Sequence, residues 1–168
     1  MTNFIKTIKL FNSKGIDITD SIEREIKLQK ISSSYGFTPK IISTWINDGV
    51  YYIEMEKIDT MCLADKYGET SDDIPKKYWY QIKSIINLLF YREGIEYIDI
   101  TPYNFIEKND KIYLIDFGHA YLSDKTPVPV QVQVPVQVPV QVPVQPQNWF
   151  LKDFLENKEL MEFNPDFK

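Results

Sequence analysis

The pattern of apolar and polar positions divides the chain into short, readable units. Residues 4–11 (Phe4, Ile5, Lys6, Thr7, Ile8, Lys9, Leu10, Phe11) are rich in β-formers and predict a strand, followed by a turn over 12–15. A helix is expected next. Asp20 is its candidate cap and Glu23 the capping-box partner, with Ile22, Ile26 and Gln29 on one face. Ser32, Ser33 and Ser34 weaken it and Gly36 ends it. Residues 40–46 and 51–55 read as two strands joined by a turn at Asn47-Asp48-Gly49, a strong hairpin signal. A short helical segment over 62–67 precedes a long helix opened by Pro75. In that helix Ile82, Ile85, Ile86, Leu89 and Phe90 recur at helical spacing, and Gly94 stops it.

Residues 94–106 form the densest stretch. A turn at Lys108-Asn109-Asp110-Lys111 then joins two short strands, and the second, residues 112–115, runs directly into Asp116-Phe117-Gly118. From 126 to 147 the composition collapses to Pro, Val and Gln, with Pro-Val-Gln-Val units starting at Pro135 and Pro139. Proline at every fourth residue excludes a helix or an interior strand, so an extended, low-complexity linker is expected. The preferred reading is an expanded surface repeat, the other being a ligand for a proline-binding module. Residues 148–163 predict a closing amphipathic helix carrying Trp149, Phe150, Phe154 and Leu155, and residues 164–167 predict a turn.

Composition narrows the function classes. The 168 residues, 43% hydrophobic and 26% charged, suit one soluble globular domain with a tail. A net charge of −5 argues against a nucleic-acid partner engaged through a broad basic face. Cys62 and His119 stand alone among cysteines and histidines, which excludes a disulfide framework and most thiolate or imidazole zinc sites. Residues 1–12 lack the apolar run of a signal peptide, and no stretch has the length of a membrane span. The expectation is a soluble, intracellular, cytoplasmic protein with no membrane partner. Its richness in Ile, Lys, Asn and Tyr hints at an AT-rich genome.

The candidate chemistry lies between 99 and 116. Phosphoryl transfer needs a group that orients or deprotonates a hydroxyl, oxygen ligands for Mg²⁺, and a cation on the phosphates. Asp99 and Asn104 are five residues apart, with Pro102 forcing a non-helical loop between them. A hairpin between Asn104 and Asp116 would return Asp116 beside Asn104, so the three side chains could converge on one metal–phosphate group.

The run Tyr97-Ile98-Asp99-Ile100-Thr101-Pro102-Tyr103-Asn104, followed by Asp116-Phe117-Gly118, resembles the catalytic signatures of the protein-kinase-like superfamily. The resemblance implies Asp99 as catalytic base and Asn104 and Asp116 as Mg²⁺ ligands, with Phe117 packing to set Asp116. Thr7-Ile8-Lys9-Leu10 looks like the small-lobe strand whose lysine meets the phosphates and a glutamate on the next helix. Lys9 with Glu25 is the favoured pair, because Phe4 beside Lys6 would crowd an adenine more than Thr7 beside Lys9. Lys6 and Glu23 remain the competing choices. Alternation places Lys6 and Lys9 on opposite faces of the strand, so only one enters the cleft. By the same resemblance Met55 sits behind the adenine pocket, Glu56 begins the hinge and Ile106 forms the pocket floor.

The chain departs from that pattern in several places. Eight residues precede Lys9, too few for a glycine-rich phosphate cover. Tyr97 and Ile98 replace the motif histidine and arginine, and no A-P-E follows Gly118. Thr101 stands where peptide kinases carry lysine, a feature similar to the small atypical kinase of the KEOPS complex. Short kinase-like proteins of large DNA viruses are similar too. The expected fold is α+β and two-lobed: a small lobe over about 1–57 with an antiparallel sheet and one helix, and a mostly helical large lobe over about 58–125. A linker over 126–147 and a C-terminal helix over 148–168 complete it. The expected function is a Mg²⁺- and ATP-dependent phosphotransferase acting on a protein or small-molecule hydroxyl. The alternatives are a pseudokinase-type binding module without turnover and an inert fragment of a larger kinase.

Overall fold

A computed structural model describes residues 3–123 and 145–167. The first unit is a three-stranded antiparallel sheet of β1 (Asn3–Lys9), β2 (Ile41–Asn47) and β3 (Val50–Glu56), in the order β1-β3-β2. Helix α1 (Thr19–Ser33) packs on one face of it. The two-residue turn Asp48-Gly49 has φ of 48° and 74°, the pair of positive values that a tight hairpin of right-twisted strands requires. Ile22 and Ile26 of α1 meet Ile53 and Met55 of β3 in a small buried cluster.

The second unit is built on α3 (Lys76–Glu93), which buries Tyr78, Trp79, Ile82, Ile85, Ile86, Leu89 and Phe90 along one stripe. Around it lie α2 (Leu63–Tyr67), the two-stranded ladder of β4 (Ile95–Glu96) with β7 (Tyr121–Leu122), and the hairpin of β5 (Phe105–Lys108) and β6 (Lys111–Leu114). Helix α4 (Trp149–Glu156) closes this side through Phe150, Leu151, Phe154 and Leu155. Together these elements form the α+β architecture of a reduced kinase-like fold, with a small antiparallel sheet beside a larger, mostly helical part.

Several local expectations need correction. Helix α1 begins at Thr19 without an Asp20–Glu23 capping box, and the Asp17 carboxylate instead accepts from the Thr19 N–H (2.8 Å) and hydroxyl (2.6 Å). Strand β1 ends at Lys9, and Phe11 only bridges Asp17 across the following turn. The closing helix spans Trp149–Glu156 rather than 148–163. Asn148 caps its start by accepting from the Leu151 N–H (2.9 Å). Its end is fixed by the buried Lys83 ammonium, which donates to the carbonyls of Phe154 (2.8 Å) and Asn157 (3.0 Å). Residues 157–167 then run back as turns and extended chain. The Pro/Val/Gln linker lies outside the described residues as far as 144. Among the described residues, no helix is long and apolar enough to cross a membrane.

Candidate active site

A cleft of about 340 Å³ lies beside the sheet. It is lined by Phe4, Lys6, Glu25, Met55, Glu56, Ile58, Ile106 and Asp116, among others. Most of its wall is aliphatic or aromatic, and the charges gather at one end, a common arrangement for a small-molecule site.

The charged end is a three-membered network. Lys6 Nζ donates to Glu25 Oε1 at 2.5 Å and to Asp116 Oδ1 at 3.0 Å. The expectation that Lys9 would make this pair is therefore corrected. Alternation does separate the two lysines, but Lys6 pairs in register with Ile53, on the face that meets α1. Lys9 lies opposite Val50 at the turn end of the sheet, exposed. Phe4 does not crowd the cleft; it is half-exposed and forms part of the wall. Glu25 lies on the buried face of α1 while Glu23 points to solvent.

Burial alone would pull the Lys6 ammonium down, but the Glu25 and Asp116 carboxylates outweigh it and hold its pKa above the ordinary lysine value. Burial pushes Glu25 up, with Lys6 only partly opposing. Burial also works to raise Asp116, yet Lys6 and the Gly118 N–H hold that carboxyl below its ordinary range.

Asp116 sits at φ 59°, the left-handed region that a non-glycine residue seldom occupies without support. The Gly118 N–H donates to its Oδ1 at 2.9 Å. A Cβ at position 118 would stand 3.1 Å from that same oxygen, which explains glycine there. Tyr97 supports the segment from below. Its ring is fully buried, edge-on to Phe117 at 5.5 Å between centroids, and its hydroxyl lies 2.9 Å from both the Ile115 and Asp116 carbonyls. Burial first, and the nearby Asp99 and Asp116 carboxylates second, push the Tyr97 hydroxyl well above its ordinary pKa, so it stays a donor.

The 97–104 loop joins the network through its backbone. Asn104 ends the short 3₁₀ turn Pro102–Asn104, and its Nδ2 donates to the Asp99 carbonyl at 3.0 Å. The Asn104 carbonyl accepts from the Ile115 N–H at 2.9 Å, one residue before Asp116. Asn104 is thus hydrogen-bonded both to the Asp99 peptide and to Ile115, the residue that precedes Asp116. His119 Nδ1 lies 3.0 Å from Asp99 Oδ2. The expected residues Glu25, Met55, Glu56, Ile106 and Asp116 line one cleft, and Lys9 does not enter. Asp99 and Asn104 are outside its lining, with Asn104 hydrogen-bonded to Ile115, which lines it, and to the Asp99 carbonyl.

No sequence motif marks His119 as a neighbour of Asp99, and Tyr97 stands out in the sequence only as a departure from the motif two residues before Asp99. Among the described residues no three or more His, Cys, Asp or Glu side chains gather as a metal cluster. The oxygens of Asp116 and Asn104, one carboxylate and one amide, are of the hard type that Mg²⁺ takes alongside phosphates and water, and so fit that ion.

The fold and this site together define a kinase-like arrangement. Comparison with known proteins points the same way. The chain is 32% identical over 115 residues to a probable serine/threonine-protein kinase BUD32 homolog of Archaeoglobus fulgidus, covering 66% of this chain and 56% of that protein. It is 29% identical over 121 residues to the serine/threonine-protein kinase CHK1 of Saccharomyces cerevisiae, covering 69% of this chain and 23% of the kinase. It is 26% identical over 126 residues to the CBL-interacting serine/threonine-protein kinase 2 of Arabidopsis thaliana, covering 71% and 26%. The chain therefore spans about half the length of the first relative and about a quarter of the other two. No family model matches it. Its similarity to three proteins named as serine/threonine kinases supports a place in the protein-kinase-like superfamily.

Proposed function

We propose that this chain is a Mg²⁺- and ATP-dependent phosphotransferase that acts on an alcohol hydroxyl of a protein serine or threonine, or of a small molecule. One observation carries the reading: Lys6, Glu25 and Asp116 converge at the polar end of an apolar cleft, while Asn104 bonds the Asp99 peptide and Ile115, the residue before Asp116.

On this reading the nucleotide base occupies the apolar part of the cleft, between Phe4, Met55, Ile58 and Ile106, with the Glu56 backbone beside it. Lys6 presents its ammonium to the phosphates. It has three donors, of which Glu25 and Asp116 take two. Glu25 keeps Lys6 pointed into the cleft. Asn104 and Asp116 would hold Mg²⁺, which when bound neutralises phosphate charge. Asp99 orients the attacking hydroxyl and takes its proton as the new O–P bond forms and the bond to the leaving diphosphate breaks.

The test is transfer from labelled ATP with Mg²⁺, comparing the unmodified chain with Asp116→Asn and Asp99→Asn. Asparagine tolerates the left-handed backbone at 116. Removing the Asp99 carboxylate is expected to cost about 10²–10⁴-fold in kcat, with Asp99→Asn melting like the unmodified chain and Asp116→Asn, which gives up the ion pair with Lys6, melting somewhat lower but still cooperatively. Transfer that survives both changes would overturn the reading. ATP-independent capture of a protein, with neither nucleotide binding nor turnover, would favour the binding-module alternative.

A further inference from the structure

The returning C-terminal segment, residues 157–167, is tied to the loop that carries Asp99. Asn164 is completely buried. Its backbone N–H donates to the Ile100 carbonyl at 2.8 Å, and its side-chain Nδ2 donates to the Ile98 carbonyl at 2.7 Å. A single residue therefore takes the carbonyls on both sides of Asp99. The remaining amide oxygen accepts from the Asp166 N–H at 3.1 Å, so both ends of the amide are engaged and its orientation is fixed.

The loop itself offers little regular structure to hold it. Its internal bonds are all local: Ile100 N–H to the Ile98 carbonyl (2.9 Å), Thr101 N–H to the Asp99 carbonyl (3.0 Å), Asn104 N–H to the Thr101 carbonyl (3.1 Å) and Asn104 Nδ2 to the Asp99 carbonyl (3.0 Å). The segment makes a second approach through Phe167. The Phe167 ring lies 5.1 Å from the His119 ring, and His119 in turn contacts the Asp99 carboxylate. Away from the loop the segment is anchored separately. The Phe163 N–H donates to Ser71 Oγ (3.0 Å), Phe163 packs on Trp79 (4.7 Å), and Trp149 Nε1 donates to Asp166 Oδ2 (3.0 Å).

We propose that Asn164 is a positioning residue of the transfer site, and that residues 157–167 form a strap fixing the peptide on each side of Asp99. The inference rests on the phosphotransferase reading for its catalytic meaning. Its chemistry is specific to an amide. The Ile98 carbonyl takes a second donor beside the Ile100 N–H, and the Asp166 N–H takes an acceptor, and asparagine supplies both at once. Aspartate has the same shape but only acceptors, so it would set a carboxylate against the Ile98 carbonyl. Displacing a reacting group by a fraction of an ångström to an ångström reduces rate far more than it reduces nucleotide affinity.

The experiment compares the full chain with Asn164→Asp and Ser71→Ala, reading kcat, the KM for Mg²⁺-ATP and amide hydrogen exchange. Asn164→Asp is expected to lower kcat by about 10–100-fold, with KM within about threefold, and to raise exchange selectively at Ile100 and Thr101. Ser71→Ala, which loosens the strap away from the loop, should leave kcat within about twofold of the unmodified chain. Equal losses in both variants, or a fall confined to KM, would reduce the strap to general packing and overturn the proposal. If the unmodified chain shows no Asp116-dependent transfer, the activity reading fails by itself and exchange decides the strap. Selective deprotection of the loop in Asn164→Asp then supports the clamp, and unchanged protection overturns it.

Discussion

On the sheet side of the cleft, a small cluster of Ile22, Ile26, Ile53 and Met55 holds α1 on three strands. The functional charges there are kept in place mainly by one another, through Lys6, Glu25 and Asp116. On the opposite side a continuous core runs from Leu63 through α3 to Phe154, and the 97–104 loop is fixed by hydrogen bonds to its own backbone. The first region is light and electrostatic; the second is dense and geometric. Changes on the sheet side should therefore alter charge placement, whereas changes on the other side should alter stability and loop geometry.

The sharpest test of that contrast is Lys6→Met beside Lys9→Met. The substitutions remove the same charge three residues apart on one strand. Lys6→Met is expected to reduce transfer roughly 10²–10³-fold, the usual effect of removing one preorganised donor from developing charge. Lys9→Met should leave transfer within about twofold, because Lys9 is exposed at the turn end of β1. A loss in Lys9→Met with little effect of Lys6→Met would reverse the assignment.

Tyr97→Phe probes the dense side and is expected to have a smaller effect on activity and a larger one on stability. It strips the hydroxyl from the Ile115 and Asp116 carbonyls while keeping the ring against Phe117. Leaving those buried acceptors without a donor costs about 1–3 kcal/mol. At this chain length that lowers the melting temperature by roughly 2–4 °C per kcal/mol. Calorimetry on the variant checks it; an unchanged melting temperature would mean that the hydroxyl contributes nothing to holding Asp116.

The same contrast explains what could be read in the amino-acid sequence. The two hairpin turns, the long helix ended by Gly94 and the loop from Tyr97 to Asn104 follow local rules, and they stand close to where the pattern put them. Lys6 could not be chosen locally. Alternation gave two candidate faces, and the selection came from Glu25 on α1 and from Asp116, 110 residues away. Asn164 was hidden for the same reason: a helical pattern running into an Asn-Pro turn shows nothing of the two carbonyls it reaches, 66 positions back in the case of Ile98. His119 and Tyr97 were visible as residues, but their partners belong to loops whose path only the packed core determines.

The finest expected effect is on the pH dependence of stability, and its sign follows from the network. Asp116 is held below its ordinary 3.8, so its contribution is complete above that value and is lost as pH falls through the lowered folded value. Lys6 is held above its ordinary 10.5, so its contribution is complete below that value and is lost as pH rises through the raised folded value. Glu25 acts in the opposite sense to Asp116. Burial holds it above its ordinary 4.5, so the stability of its protonated form is complete below that value and is lost as pH rises through the raised folded value. Lys6→Met removes the cation that limits this loss, leaving Glu25 more costly to ionise. The gap in melting temperature between the unmodified chain and Lys6→Met should therefore widen as pH rises from 4.5 toward neutrality, and narrow again above 10.5. In a Glu25→Gln background the acid-side widening should largely vanish, leaving only the smaller part due to Asp116 at lower pH. A gap that stays constant across the whole range would show that the three charges do not act as one network, and that the sheet side is held by its small apolar cluster alone.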